Sequence, residues 1–132
     1  MKIFCSYCSA AKREDDGLLP AVERYLSERL RVLWLRGRAQ GTPLFILSGE
    51  FGLLGAEEPI PWYDHLLSPG EAAPLATGVA ARLRELGVER VEYHTAPLAA
   101  TPAVRPYFKA ISAACAAAGA ALDLMILPGD LP

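Results

Sequence analysis

Four short apolar runs, at residues 2–8, 43–48, 88–95 and 122–127, are separated by connections far too long for hairpins. That spacing is the strongest constraint on the fold. Strands joined by long crossovers pair in parallel, and the crossovers need helices to cover both faces of the sheet. The connections carry the matching helical patterns. Pro20 opens a helix to about Arg36, with Val22, Leu26, Leu30 and Leu33 on one face. Ser68-Pro69-Gly70-Glu71 has the spacing of a capping box with proline at the first helical position. Leu75, Val79, Leu83 and Leu86 continue that helix to a stop at Gly87. A third helix starts at Pro102 or Pro106 and ends at Gly119. The expected architecture is one domain over residues 1–132, a Rossmann-like three-layer α/β sandwich with a mostly parallel four-stranded sheet.

Composition narrows the function classes. The 132 residues suffice for a real core, and 52% are hydrophobic, yet no uncharged stretch is long enough to span a membrane. The opening Met1-Lys2-Ile3-Phe4-Cys5-Ser6 lacks the apolar run and cleavage site of a signal peptide, so a cytoplasmic location is expected. Net charge is −2 and the longest basic run is Lys12-Arg13, which leaves duplex DNA binding without an electrostatic footprint. Arginine outnumbers lysine, proline is frequent and asparagine is absent. Heat adaptation and a GC-rich genome would each produce that bias.

In open parallel sheets ligands sit beyond the carboxyl ends of the strands. Those ends present Cys8-Ser9, Ser48-Gly49-Glu50, His94-Thr95 and Pro128-Gly129-Asp130. The first two lead into the most irregular segments, 9–19 and 49–68, and a loop of that length in a small domain points to function. Lys12 can reach back over the sheet edge to a phosphate, carboxylate or carbonyl, although it also begins the charged run Lys12-Arg13-Glu14-Asp15-Asp16 and charge runs are usually solvated. Gly49 and Gly52 allow positive φ or close approach of a ligand to the backbone. Ser48 can donate to an acceptor, Glu50 can serve as a general base, and Tyr63 and Asp64 can stack on a base and read its edge. Taken alone, Tyr63 reads as a packing aromatic.

Cys8-Ser9-x-x-Lys12, then Ser48-Gly49-x-x-Gly52-Leu53-Leu54, then Pro61-x-Tyr63-Asp64 resembles an uncharacterised family of small YaaA-like α/β domains. More distantly it is similar to the peroxide-stress YaaA proteins and to the catalytic domain of archaeosine synthase, which modifies a deazaguanine base in tRNA. The resemblance covers about the first half of the chain. It implies a Rossmann-like fold and a nucleobase- or nucleotide-like ligand.

Other motifs carry less. Cys5-Ser6-Tyr7-Cys8 is a C-x-x-C, but it lies in a strand, where the two thiols point to opposite faces, and not at a helix start that would lower a thiol pKa. A metal site would have to be assembled from that pair with His65, His94 and Cys115, and no spacing supports one, so neither metal nor cofactor is expected. His94, at a strand tip, is a site candidate. His65 reads equally as solvated or functional. The helix over residues 106–118 is almost wholly small and apolar and needs cover on all sides, which suggests a homodimer.

Three readings follow. The first is an enzyme acting on a free nucleotide- or base-like small molecule, with Lys12, Glu50 and Asp64 as catalytic groups and Cys8, Ser9, Ser48, Gly49, Gly52, Tyr63 and His94 holding the substrate. The second is a non-catalytic sensor using the same pocket. The third, a nucleic-acid-binding stress protein, is opposed by the absence of a basic stripe.

Overall fold

The computed structural model describes residues 1–127; the strand exit at Pro128-Gly129-Asp130 lies outside the described residues. The strands are β1 (Lys2–Tyr7), β2 (Leu19–Pro20), β3 (Leu44–Ser48), β4 (Gly52–Gly55), β5 (Pro59–Ile60), β6 (Arg90–Thr95) and β7 (Ala121–Ile126). The helices are α1 (Ala21–Arg24), α2 (Glu28–Gln40), α3 (Ala72–Leu86) and α4 (Arg105–Ala118). Five strands form one sheet in the order β4-β3-β1-β6-β7, parallel except for β4 against β3. The molecule is therefore an α/β fold with a mixed, mostly parallel sheet.

Phe4 and Cys5, neighbours in β1, show how the layers are made. Strand geometry sends them to opposite faces. The Phe4 ring lies under α2, where Gly37 allows close approach. On the other face Tyr93, in register with Cys5, meets Phe108 of α4. α3 and α4 pack along each other on that face. α4 buries Tyr107, Ala110, Ile111, Ala114 and Cys115, so much of the cover its composition demands comes from this chain; Ala113, Ala116 and Ala117 remain exposed. Gly87 and Gly119 end α3 and α4 in the left-handed region, at the expected stops.

Two expectations need correction. The sheet has five strands because the 49–68 connection is not irregular throughout. After Ser48 the chain turns over Gly49-Glu50-Phe51, and Gly52, at φ 77°, starts β4 back along β3. Leu53 and Leu54 lie in this edge strand, which is too short to show an alternation. Secondly, the helix expected over 20–36 is broken at Tyr25–Ser27. The Ser27 hydroxyl caps α2 by accepting the Leu30 N–H, and Leu26, assigned to the apolar face, is exposed. Further on, β5 pairs with β2 and ties the two long loops together.

Gly37 and Gly78 both lie inside helices but in opposite surroundings. A Cβ at Gly37 would fall 2.2 Å from the backbone oxygen of Thr42, whereas one at Gly78 would meet nothing within 4 Å. Gly37→Ala should therefore cost about 1–3 kcal/mol despite alanine's better helix propensity. Gly78→Ala should stabilise by about 0.5–1 kcal/mol. Urea denaturation of the two variants against the wild type tests the opposite signs.

Candidate functional site

The chain leaving β1 is held by two arginines absent from the sequence-based candidates. Arg24 is fully buried and donates to the carbonyls of Arg13 (2.8 Å), Asp15 (3.0 Å), Gly17 (2.7 Å) and Ile60 (3.2 Å). Backbone bonds from Arg13 N to Arg24 O and from Leu26 N to Ala11 O complete the clamp, with Lys12 bridged to Tyr25. Lys12 is thus a residue of a fixed loop. Its ammonium lies 4.6 Å from the centre of the Tyr63 ring and donates to the Ala10 carbonyl at 3.3 Å.

Arg29, in the first turn of α2, closes the other side of the exit. Its Nη1 donates to Ser6 Oγ (2.6 Å) and the Tyr7 carbonyl (2.7 Å), and Nη2 to the Cys8 carbonyl (3.3 Å). The guanidinium stacks on the Tyr7 ring at 3.7 Å. Ser6 in turn donates to the His94 carbonyl across the β1–β6 pairing.

Over this framework opens a cavity of about 400 Å³. The β1 exit supplies Cys8, Ser9 and Lys12, the loop before α3 supplies Asp64 and His65, α2 supplies Arg29, and Tyr107 comes from α4. β1 connects outward to β3 on one side, while the next crossover lands on β6 on the other. The β1–β6 boundary is thus the topological switch point, where an open α/β sheet leaves a crevice. Leu26, Leu66, Ala96 and Val104 give the walls an apolar component. A groove of similar volume, about 410 Å³, lies at the amino end of β3 beside Trp34, but its Arg38 is paired with Glu57, so those two opposite charges are matched.

Of the residues named from sequence, Cys8, Ser9, Lys12 and Asp64 line the cavity together. Ser48 and Tyr63 lie beneath it. The Ser48 hydroxyl accepts the N–H groups of Glu50 (3.1 Å) and Phe51 (3.0 Å), which fills its acceptor sites and leaves its proton for Tyr63 Oη at 2.8 Å. Tyr63 Oη in turn shares a hydrogen bond with Tyr25 Oη. Burial pushes both phenols up, so this relay stays protonated at neutral pH. Tyr63 is thereby a buried platform for Lys12. Gly49 does permit a close approach, but by the chain itself: a Cβ there would sit 3.3 Å from Leu67. Gly52 serves the turn into β4.

His94 is buried on the α2 face against Phe4, with Nε2 2.7 Å from Glu92. Burial pushes its pKa down, and it does not line the cavity. Glu50 reaches the cavity only through His65, whose Nδ1 lies 2.8 Å from Glu50 and Nε2 2.7 Å from Glu71, so that the protonated ring donates to both carboxylates. The Glu50 and Glu71 carboxylates hold the His65 pKa above its ordinary value. This bridge ties the β3 exit to the start of α3, with the Glu71 carboxylate also accepting the Ser68 N–H and hydroxyl.

Arg29 carried one legible signal. It lies four residues before Leu33 and so shares that residue's helical face. No periodicity argument could have told a buried guanidinium from a misplaced surface one. Among the described residues no cluster of three His, Cys, Asp or Glu side chains is placed to hold a metal ion, and no helix is long and apolar enough to cross a membrane. No protein-family model, curated protein or solved structure matches this chain.

Two outcomes follow. Ser48→Ala leaves two backbone N–H groups and a buried phenol short of a partner and should destabilise by about 1–3 kcal/mol in chemical denaturation. For His65, a raised folded pKa means that its contribution is complete below the unfolded value of 6.5 and is lost as pH rises through the folded one. Glu71 is opposite in sign: its lowered pKa gives stability present above 4.5 and lost as pH falls through the folded value. The melting-temperature gap between wild type and His65→Gln should therefore be widest between pH 4.5 and 6.5 and should narrow on the alkaline side. Solvent screening of this exposed bridge keeps the gap small.

Proposed function

We propose that this chain binds a small nucleotide- or nucleobase-like molecule in the switch-point cavity and acts on it as an enzyme. The observation that carries the reading is the convergence of Lys12, Cys8, Ser9 and Asp64 on one partly apolar cavity of about 400 Å³. That volume lies within the roughly 300–1,000 Å³ of small-molecule sites, and a few polar groups on apolar walls is their usual chemistry. Leu26, Leu66 and Val104 offer surface to a flat ring. Lys12 stands ready to neutralise a phosphate or an oxyanion developing during reaction, and the Asp64 carboxylate to move a proton or accept from a base edge. Glu50 is a positioning residue, acting through His65 on the loop that carries Asp64. The resemblance of the Cys8, Lys12 and Ser48 motifs to YaaA-like domains points to the same ligand class.

A thermal-shift screen of nucleotides, nucleosides and deazapurines, followed by product analysis of each hit, tests this. Lys12→Ala should abolish the ligand-induced shift while costing the free protein no more than about 1 kcal/mol, the size of one cation–π contact. Asp64→Asn should keep binding and lose turnover. Binding without turnover in the wild type would leave a sensor in place of an enzyme, and the absence of any hit in the panel would remove the reading.

A further inference from the structure

We infer that Arg29 and Lys12 together form an oxyanion-binding end of this cavity, which takes a phosphate or carboxylate of the ligand; the inference rests on the cavity being a ligand site and adds the charge of what it holds.

Arg29 is 2% exposed. Of the five guanidinium N–H donors, Ser6, Tyr7 and Cys8 take three. Nε is buried without a partner. Among the described residues neither Arg29 nor Lys12 is ion-paired with a carboxylate, although the other ion pairs use both arginine and lysine. A buried cation without a counter-charge is costly, because carbonyl dipoles replace only part of its hydration. The placement of Arg29 adds to that cost. It lies in the first turn of the 13-residue α2, where the helix dipole is itself positive. Carboxylates are the groups favoured at that position.

An oxyanion in the cavity would meet all three sources of positive potential at once. The guanidinium supplies its charge and the donor capacity that Ser6, Tyr7 and Cys8 leave free, and Lys12 supplies a point charge held on the Tyr63 ring. Asp64, also lining the cavity, would repel a second anionic group and accept a donor instead. The ligand is then bifunctional, with an oxyanion near Arg29 and Lys12 and a hydrogen-bond donor near Asp64. A nucleoside monophosphate has that polarity, and so does an amino-bearing carboxylate.

Isothermal titration at low salt with inorganic phosphate, succinate, and the pairs adenosine/AMP and guanosine/GMP tests the inference on wild type, Lys12→Ala and Arg29→Lys, each checked for folding by circular dichroism. A charge-assisted contact predicts that at least one monophosphate binds more than about tenfold tighter than its nucleoside. That advantage should weaken with added salt, fall about tenfold in Lys12→Ala and fall also in Arg29→Lys, which keeps the charge but not the guanidinium's donors. If Arg29→Lys does not fold, the wild-type comparison and Lys12→Ala decide alone. Phosphate or succinate binding that depends on Lys12, with no gain from a nucleoside, would uphold the oxyanion site and remove the nucleotide reading. Equal affinity for nucleoside and monophosphate, with no binding of either simple anion, would overturn the oxyanion site and leave a base pocket. No binding by any probe would overturn both.

Discussion

Where β1 ends, its carbonyls and those of the following loop leave the ladder and need other donors, and two buried arginines supply them. Arg24 takes the carbonyls of Arg13, Asp15, Gly17 and Ile60. Arg29 takes those of Tyr7 and Cys8. Buried backbone acceptors are nearly always satisfied, and here the satisfaction comes from charged side chains on the elements that follow. This arrangement fixes the loop and brings positive charge under the sheet edge in the same act. The cavity, the position of Lys12 and the pairing of β2 with β5 all depend on it.

A second layer of support lies beneath. Ser48 organises the β3 exit and hydrogen-bonds to Tyr63, and Tyr63 carries Lys12 on its face. Phe51 packs edge-on against the same ring at 5.0 Å. A sequence motif that looks like a row of ligand contacts is thus in good part the support beneath the cavity. Residues that hold a site and residues that touch its ligand follow the same spacing rules along the chain, since both must converge on one edge.

How much of the site was legible varies by residue for physical reasons. Lys12 and Asp64 could be named because polar residues just past a strand end and in an irregular loop have few other places to go. Ser48 and Tyr63, expected to face a ligand, do not line the cavity: their hydroxyls face each other, a choice made by packing of the 61–67 loop against Gly49. His94 sits at a strand tip as expected, but strand alternation and the Glu92 carboxylate draw it to the α2 face. Arg29 went unseen because burial of a guanidinium is set by acceptors more than twenty residues away.

Legible from local pattern alone were the alternation of strands and helices, the parallel core of the sheet, the stops at Gly87 and Gly119, and the polar exit of the first strand. Those follow from local periodicity, capping and the geometry of long crossovers. The return of Gly52–Gly55 as an edge strand, the break of the first long helix before Ser27 and the inward turn of two arginines emerge only in three dimensions. Each is settled by a non-local balance: a short strand needs its partner's ladder, a helix yields where a cap and a carbonyl clamp compete with it, and a buried charge persists only where distant dipoles receive it.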